Sequence, residues 1–367
     1  MNKMRKKGAM RLPKSTTKLK QYFPMIRERE DIKREIRENP KLLEKYREWD
    51  EEQQEEFLDY CTGVKGVKVL YDAFFKEIMN PENTPERLNE LLSLLLGQSV
   101  TIKRVLPGDS TRLADEQSLL IMDILVELAD TSLANVEVQK IGYSFPGQRS
   151  ACYSSDLLLR QYKRVKGEKK KAFSYKDIKS VYTIVFFETS IKEFHEYPQN
   201  YIHKFKQQSD TGLGLELLQK YVFIPLDIFR GITHNNLRNK TEAWLTFLST
   251  DEPEIIIELI SQYPEFKEMY EEIYVMCQNV EKVMEMFSKE LIQLDRNTVQ
   301  YMIDEMQDTI DVQKEKIDTQ KEELEAKQET IDSQQATIDT QKEELEAVRH
   351  RLREMAEKLE QLEQNQK

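Results

Sequence analysis

With 367 residues, 39% of them hydrophobic and 33% charged, the chain can bury one or two cores, but part of it must be more polar than a packed domain. The formal charge of −11 disfavours a nucleic-acid partner only until it is located: residues 304–367 hold 19 acidic and 10 basic side chains, −9 in all, which leaves −2 for everything before them. Three distant cysteines without a CxxC pair and four histidines without an HExxH pair argue against a disulfide framework and the common zinc sites.

Taken in order, the chain opens on "MNKMRKKGAMRLPKSTTKLK", which is basic but lacks the apolar segment of a secretory signal. No later run approaches the roughly 18 apolar residues of a membrane span, so the expectation is a soluble cytoplasmic protein. Residues 1–55 read as a basic arm with one or two short helices. A globular region follows at 56–245, a helical segment at 246–302 and a coiled coil at 303–362. Within the globular region, "TPERLNELLSLLLGQ" predicts a helix that starts after Thr84-Pro85 and stops at Gly97. Strands are predicted over 119–128, 135–141, 180–188 and 220–229, each β-branched or aromatic and bounded by polar turns. A helix ending at Gly167 is expected between the second and third. The order implies a mixed α/β sheet with helices on its faces.

The hairpin "MDILVELADTSLANVEVQK" (122–140) carries acids among aliphatic residues. Alternation puts Glu137 and Gln139 on one face of their strand, with Val136 and Val138 on the other. An antiparallel pairing through Asp130-Thr131-Ser132 brings Asp123 opposite or diagonal to Glu137, within roughly 5–8 Å. Two carboxylates so placed repel each other unless a cation neutralises them, and Mg²⁺ with oxygen ligands does so. The plainer reading is a half-buried hairpin with acids on its solvent face.

The run from "RLADEQSLLIMDILVEL" through "ANVEVQKIGYSFPGQRSACYSSDLLLRQY" to "YKDIKSVYTIVFFE", with "AFFKEIM" upstream, resembles the PD-(D/E)XK nuclease family transposases over residues 70–230. The resemblance implies a restriction-endonuclease-like αβββαβ core and Mg²⁺-dependent DNA cleavage, with Mn²⁺ as a possible substitute. It carries the family's two acids onto Asp123 and Glu137 as catalytic and metal-binding residues, and Gln139 onto the position where the wider superfamily has lysine. Lys140 is adjacent but falls on the wrong face, which leaves the general base unassigned. Glu90, on the leucine-rich helix, is a further acid to consider, although an exposed helical Glu is the plainer reading.

Beyond this hairpin, "RQYKRVKGEKKK" (160–171) has seven basic residues against one Glu. Arg160, Lys163, Arg164 and Lys166, with Arg149 upstream, are the candidate DNA-phosphate contacts; solubilising surface lysines are the alternative. Tyr153 faces either the cleft or the core. His195 and His203, in an aromatic connector, read as packing or loop residues. Nothing resembles a sequence-specific DNA-reading motif.

In the tail, Ile303, Ile310, Ile317, Leu324, Ile331, Ile338, Leu345, Leu352 and Leu359 recur every seven residues, and "IDTQKEELEA" occurs twice, 21 apart. The second seam is mostly glutamine until the last turns. This pattern predicts a parallel homodimeric coiled coil that is weak in its middle; a single solvated helix with Glu–Lys pairs is the rival. The functional expectation is a metal-dependent DNA endonuclease acting in recombination or transposition. The alternative is a catalytically inactive nuclease-derived DNA- or protein-binding scaffold working through its coiled coil.

Overall fold

Alternation of side chains along the strands decides how this chain is layered. The computed structural model describes residues 17–106, 124–141, 146–232 and 237–364. Four helices come first: α1 (Lys18–Tyr22), α2 (Arg29–Glu38), α3 (Pro40–Glu48) and α4 (Glu51–Cys61). The last carries a capping box in which Asp50 and Gln53 satisfy each other's backbone N–H groups. Next come α5 (Asp72–Ile78) and α6 (Pro85–Leu96). Helix α6 begins at a proline and stops where Gly97 adopts φ +71°, burying Leu88, Leu91, Leu92 and Leu95 along one face.

The strands are β1 (Ile102–Leu106), β2 (Ile124–Leu128), β3 (Leu133–Ile141), β4 (Val181–Thr189), β5 (His203–Lys206) and β6 (Gln219–Pro225). They form one sheet in the order β1-β2-β3-β4-β6-β5. β1, β2 and β3 are antiparallel neighbours, β3, β4 and β6 run parallel, and β5 closes the far edge antiparallel to β6. The crossover from β3 to β4 is helix α7 (Pro146–Lys169). Later helices are α8 (Lys192–His195), α9 (Leu226–Ile232), α10 (Lys240–Ser249), α11 (Pro253–Gln262), α12 (Glu265–Met276) and α13 (Val280–Gln364). This is an α/β architecture, and it carries the αβββαβ elements in the expected order.

One set of alternate residues, Ile124, Val126 and Leu128 on β2, Ala134 and Val136 on β3, and Tyr182, Ile184 and Phe186 on β4, faces a single large core. That core also takes in Leu19, Ile32 and Phe57 from the first helices and Tyr270, Met284 and Phe287 from the last ones. The other face carries two small apolar patches. Leu125, Leu133 and Val181 pack on Tyr153 and Leu157 of α7. Val185, Phe187 and Phe223 pack with Phe194 and Ile228.

Several predicted bounds shift. The stretch 220–229 is a strand only to Pro225 and then becomes α9, because an uninterrupted apolar run carries no period that separates strand from helix. Gly167 does not stop α7, which continues to Lys169. Residues 17–61 form four helices rather than one or two. The strands β1 and β5 were not predicted; each is short, and β1 and β5 alike leave charged side chains exposed. The part of the 119–128 strand before Ile124 lies outside the described residues. From Met302 the chain is a unit by itself, the continuation of α13, with its heptad residues from Ile303 to Leu352 exposed. No helix among the described residues is long and apolar enough to cross a membrane.

Candidate active site

The hairpin turns where predicted. Thr131 takes φ +70°, and Asp130 Oδ1 accepts hydrogen bonds from the Ser132 backbone N–H (3.0 Å) and hydroxyl (2.5 Å). The Cα partners are then Glu127–Leu133, Val126–Ala134, Leu125–Asn135 and Ile124–Val136. The described register ends one residue short of both predicted acids, and Asp123 lies outside the described residues.

Glu137 and Gln139 are both buried and share the α7 face of β3. The Gln139 amide donates to Glu137 Oε1 at 3.3 Å, and Arg149 Nε of α7 stands 4.0 Å from the same oxygen. Arg149 also donates through Nη2 to the Tyr153 hydroxyl at 2.9 Å, so one turn of α7 fixes the guanidinium beside the carboxylate. Tyr153 is thereby both core and site: its ring lies in the apolar patch under α7 and its hydroxyl meets Arg149.

This group occupies the gap between the two apolar patches. The gap is polar over several residues that sequence reasoning did not single out. Asn135 pairs with Thr183 across β3 and β4, and Glu137 pairs with Val185, so Asn135, Thr183, Glu137 and Gln139 share a face. Ser150 and Ser154 on the buried stripe of α7 look onto it. Both amide atoms of Asn135, the hydroxyls of Thr183, Ser150 and Ser154, and Gln139 Oε1 are buried without a hydrogen-bond partner among the described residues. Leaving such a group unsatisfied costs about 1–3 kcal/mol, so a concentration of them marks a place where stability yields to another demand. The signal in the sequence was Asn135 at the same parity as Glu137 and Gln139; the contribution of β4 and α7 was not visible there.

The donor set suits a hard cation. Glu137 supplies a carboxylate and Gln139 an orphaned amide oxygen, both hard oxygen donors. Among the described residues no three His, Cys, Asp or Glu side chains gather as a metal site; the predicted second carboxylate, Asp123, is not one of those residues. Lys140 projects to the opposite face, as alternation requires, with its Nζ 2.9 Å from Glu290 and 4.5 Å from the centroid of the Tyr71 ring. Glu90 has other duties: its carboxylate accepts from Trp244 Nε1 at 2.8 Å and lies 3.7 Å from Lys240 Nζ, joining α6 to α10.

Of the five basic candidates on α7, Arg149 stands beside Glu137 and two more are committed to ion pairs. Arg160 Nε is 2.7 Å from the buried Asp156, and Arg164 Nη1 is 2.7 Å from the buried Glu127 of β2. Glu127 also meets Arg104 at 2.7 Å and Lys103 at 3.4 Å from β1. Burial pushes the Glu127 carboxyl up, but Arg104, Arg164 and Lys103 outweigh it and hold it below the usual carboxylate value. Lys163 and Lys166 are exposed. His195 Nε2 lies 3.2 Å from Asp227 and 3.3 Å from the Ser190 hydroxyl, and the His203 ring packs on Phe194 at 5.0 Å.

No curated protein and no solved structure matches the chain. A family model does: that of the PD-(D/E)XK nuclease family transposases, over residues 69–305. The match covers well over half of the chain, includes all of the sheet and both predicted acids, and agrees with the strand order and the polar gap beneath α7, so the chain belongs to the PD-(D/E)XK nuclease family transposases.

Proposed function

We propose that the chain is a metal-dependent DNA endonuclease that hydrolyses phosphodiester bonds during recombination or transposition, works in the cytoplasm, and pairs with a second copy through its C-terminal coiled coil. The observation that carries the catalytic part is the buried Glu137–Gln139–Arg149 group, set in a polar gap between two apolar patches. Asp123 completes it. Asp123 precedes Ile124 and Glu137 follows Val136 in the sequence, and Ile124 and Val136 are Cα partners, which supports this reading.

Asp123 and Glu137 would hold Mg²⁺, or Mn²⁺ in its place, with the amide oxygen of Gln139 beside them. Bound there, the ion would supply positive charge that lowers the pKa of an attacking water and offsets the charge developing on the phosphate oxygens. The protein's own part is positional. Glu137 is held by the Gln139 amide, which leaves Gln139 Oε1 to accept a hydrogen from the attacking water. Arg149 offers a fixed guanidinium to a non-bridging phosphate oxygen. No lysine faces the group from β3, which leaves a phosphate oxygen of the substrate or a second metal-bound water to take the proton. Lys163 and Lys166, exposed on the same helix, add positive charge along the path of the DNA backbone, whereas Arg160 and Arg164 are held by Asp156 and Glu127.

The test is conversion of supercoiled plasmid by the purified chain with Mg²⁺, with EDTA, and for Asp123→Ala and Glu137→Ala. Cutting that needs the metal and disappears in both variants is the expected result. A wild type that binds DNA but never cuts it, whichever divalent ion is supplied, would sink the enzyme reading and leave the scaffold reading in its place.

A further inference from the structure

At the end of α7 remote from Glu137, three aromatic rings gather. Tyr162 of α7 meets Phe173 edge-on at 5.6 Å between centroids, and Phe173 meets Tyr175 edge-on at 5.4 Å. Tyr162 and Tyr175 lie nearly parallel, 13° apart at 6.1 Å. Lys166 donates to the Tyr162 hydroxyl at 2.7 Å with its ammonium 5.0 Å from that ring's centroid. Lys169 is paired with Asp177, and Asp177 also closes a capping box with Ser174, so the turn that presents Tyr175 is tied down.

Two features separate this cluster from a hydrophobic staple. Tyr175 is 77% exposed, whereas a ring whose purpose is packing would be covered. The charge around it is also one-sided: residues 160–179 contain nine Lys and Arg against Glu168 and Asp177, and with Arg160 and Arg164 paired to Asp156 and Glu127 an excess of five positive charges remains. A rigid, outward-facing aromatic surface ringed by lysines is the arrangement that stacks unpaired bases while the cations follow the phosphates. Duplex DNA offers phosphates but no free base face, so the aromatics single out single strands.

We propose that Tyr175, supported by Tyr162 and Phe173 and flanked by Lys166, Lys170 and Lys171, is a stacking platform for single-stranded DNA, separate from the cleavage site. The choice of DNA rests on the nuclease reading above; the platform itself does not. Tyr162 is thirteen residues beyond Arg149 on the same helix, about 20 Å at 1.5 Å per residue, or about six base pairs of B-form duplex. The platform would therefore hold a single-stranded flank next to a cut made in the adjoining duplex.

The experiment is equilibrium binding, by fluorescence anisotropy in EDTA, of a labelled oligothymidylate and of a duplex of equal length to the full chain. Tyr175→Ala is expected to weaken single-strand binding roughly 5- to 150-fold, the value of one stacked base, and to leave duplex binding essentially unchanged. Tyr175→Trp should restore affinity, with its emission quenched as DNA is added. Lys170→Gln with Lys171→Gln should weaken both ligands and flatten the salt dependence of binding. Wild-type affinity in Tyr175→Ala, or equal loss for both ligands, overturns the platform. Tighter binding of an RNA of matching sequence overturns the assignment to DNA. Because EDTA removes any need for cutting, a failed plasmid assay beside a positive binding result would discard the nuclease reading and keep the platform.

Discussion

Lys140 Nζ and the Glu290 carboxylate stand 2.9 Å apart, each side chain at most 4% exposed, on the face of β3 opposite Glu137 and Gln139. The pair ties the first turns of α13 to the strand that carries the site. Glu290 has a second task, since its Oε2 accepts the backbone N–H of Asp72 at 2.8 Å at the start of α5. Removing one partner of a buried pair leaves the other charged and unsolvated. Lys140→Met is therefore expected to cost about 3–5 kcal/mol in urea unfolding. Adding Glu290→Gln should recover part of that loss, because the neutral amide still accepts from Asp72 without a stranded charge. A Lys140→Met protein of wild-type stability that has lost cleavage would show instead that Lys140 does chemistry.

Gln139 occupies the position where a lysine would bring a positive charge. Its amide donates to Glu137 at 3.3 Å, and its other end has no partner among the described residues. Gln139→Leu keeps the volume and removes both functions. On the proposed mechanism it should slow plasmid cleavage about 10- to 100-fold, the usual effect of losing a group that orients a ligand, with little change in melting temperature. Gln139→Lys tests the charge directly: an ammonium 3.3 Å or so from Glu137 would compete with the metal, so cleavage should need more Mg²⁺ to reach half its maximum.

Much of this was legible from alternation and punctuation. The leucines of α6 and the glycine behind them announce a helix and its end. In the hairpin, side-chain parity alone separates Glu137 and Gln139 from Lys140, and the structure puts Lys140 on the opposite face with Glu290. What escaped depends on groups far apart in the chain. β1 reads as a charged fragment until β2 pairs with it. Arg160 and Arg164 belong to a basic run by sequence, yet Asp156 and Glu127 claim them in three dimensions. Asn135 and Thr183 look like ordinary strand residues until the parallel register sets them side by side beneath Ser150 and Ser154.

Glu127 gives a pH dependence with a definite sign. Its carboxyl is held below the usual value by Arg104, Arg164 and Lys103, against the upward push of burial. A carboxyl depressed in the folded state binds fewer protons there than in the unfolded chain, so its contribution is complete above the ordinary carboxylate pKa of about 4.3. It is lost as pH falls from there through the depressed value. Urea unfolding at neutral pH and below pH 4 should show wild type losing stability on acidification, and Glu127→Gln losing less. At neutral pH the variant should be less stable by about 1–3 kcal/mol, allowing for the exposure of Arg104 and Lys103. Parallel acid curves for the two proteins would remove Glu127 from the account.

The last helix poses a question of assembly. From Met302 its heptad residues, among them Ile317 at 51% and Ile338 at 44% exposed, form an apolar stripe with no covering element among the described residues. A second copy would cover it seam to seam, the apolar seam favouring that pairing against the mutual repulsion of two tails of net charge −9. If the coiled coil forms, sedimentation equilibrium should give a dimer for the wild type and a monomer for Ile317→Asp with Ile338→Asp, which sets a carboxylate in each of two layers. The same pair of changes should reduce helicity and leave the sheet-containing unit's melting unchanged. Cleavage should shift from linear plasmid toward nicked circles, since one copy cuts one strand at a time. A wild type that sediments as a monomer would mean that α13 stands alone, with local pairs such as Asp318–Lys321 and Asp339–Lys342 along it, and that any double-strand break needs a second encounter.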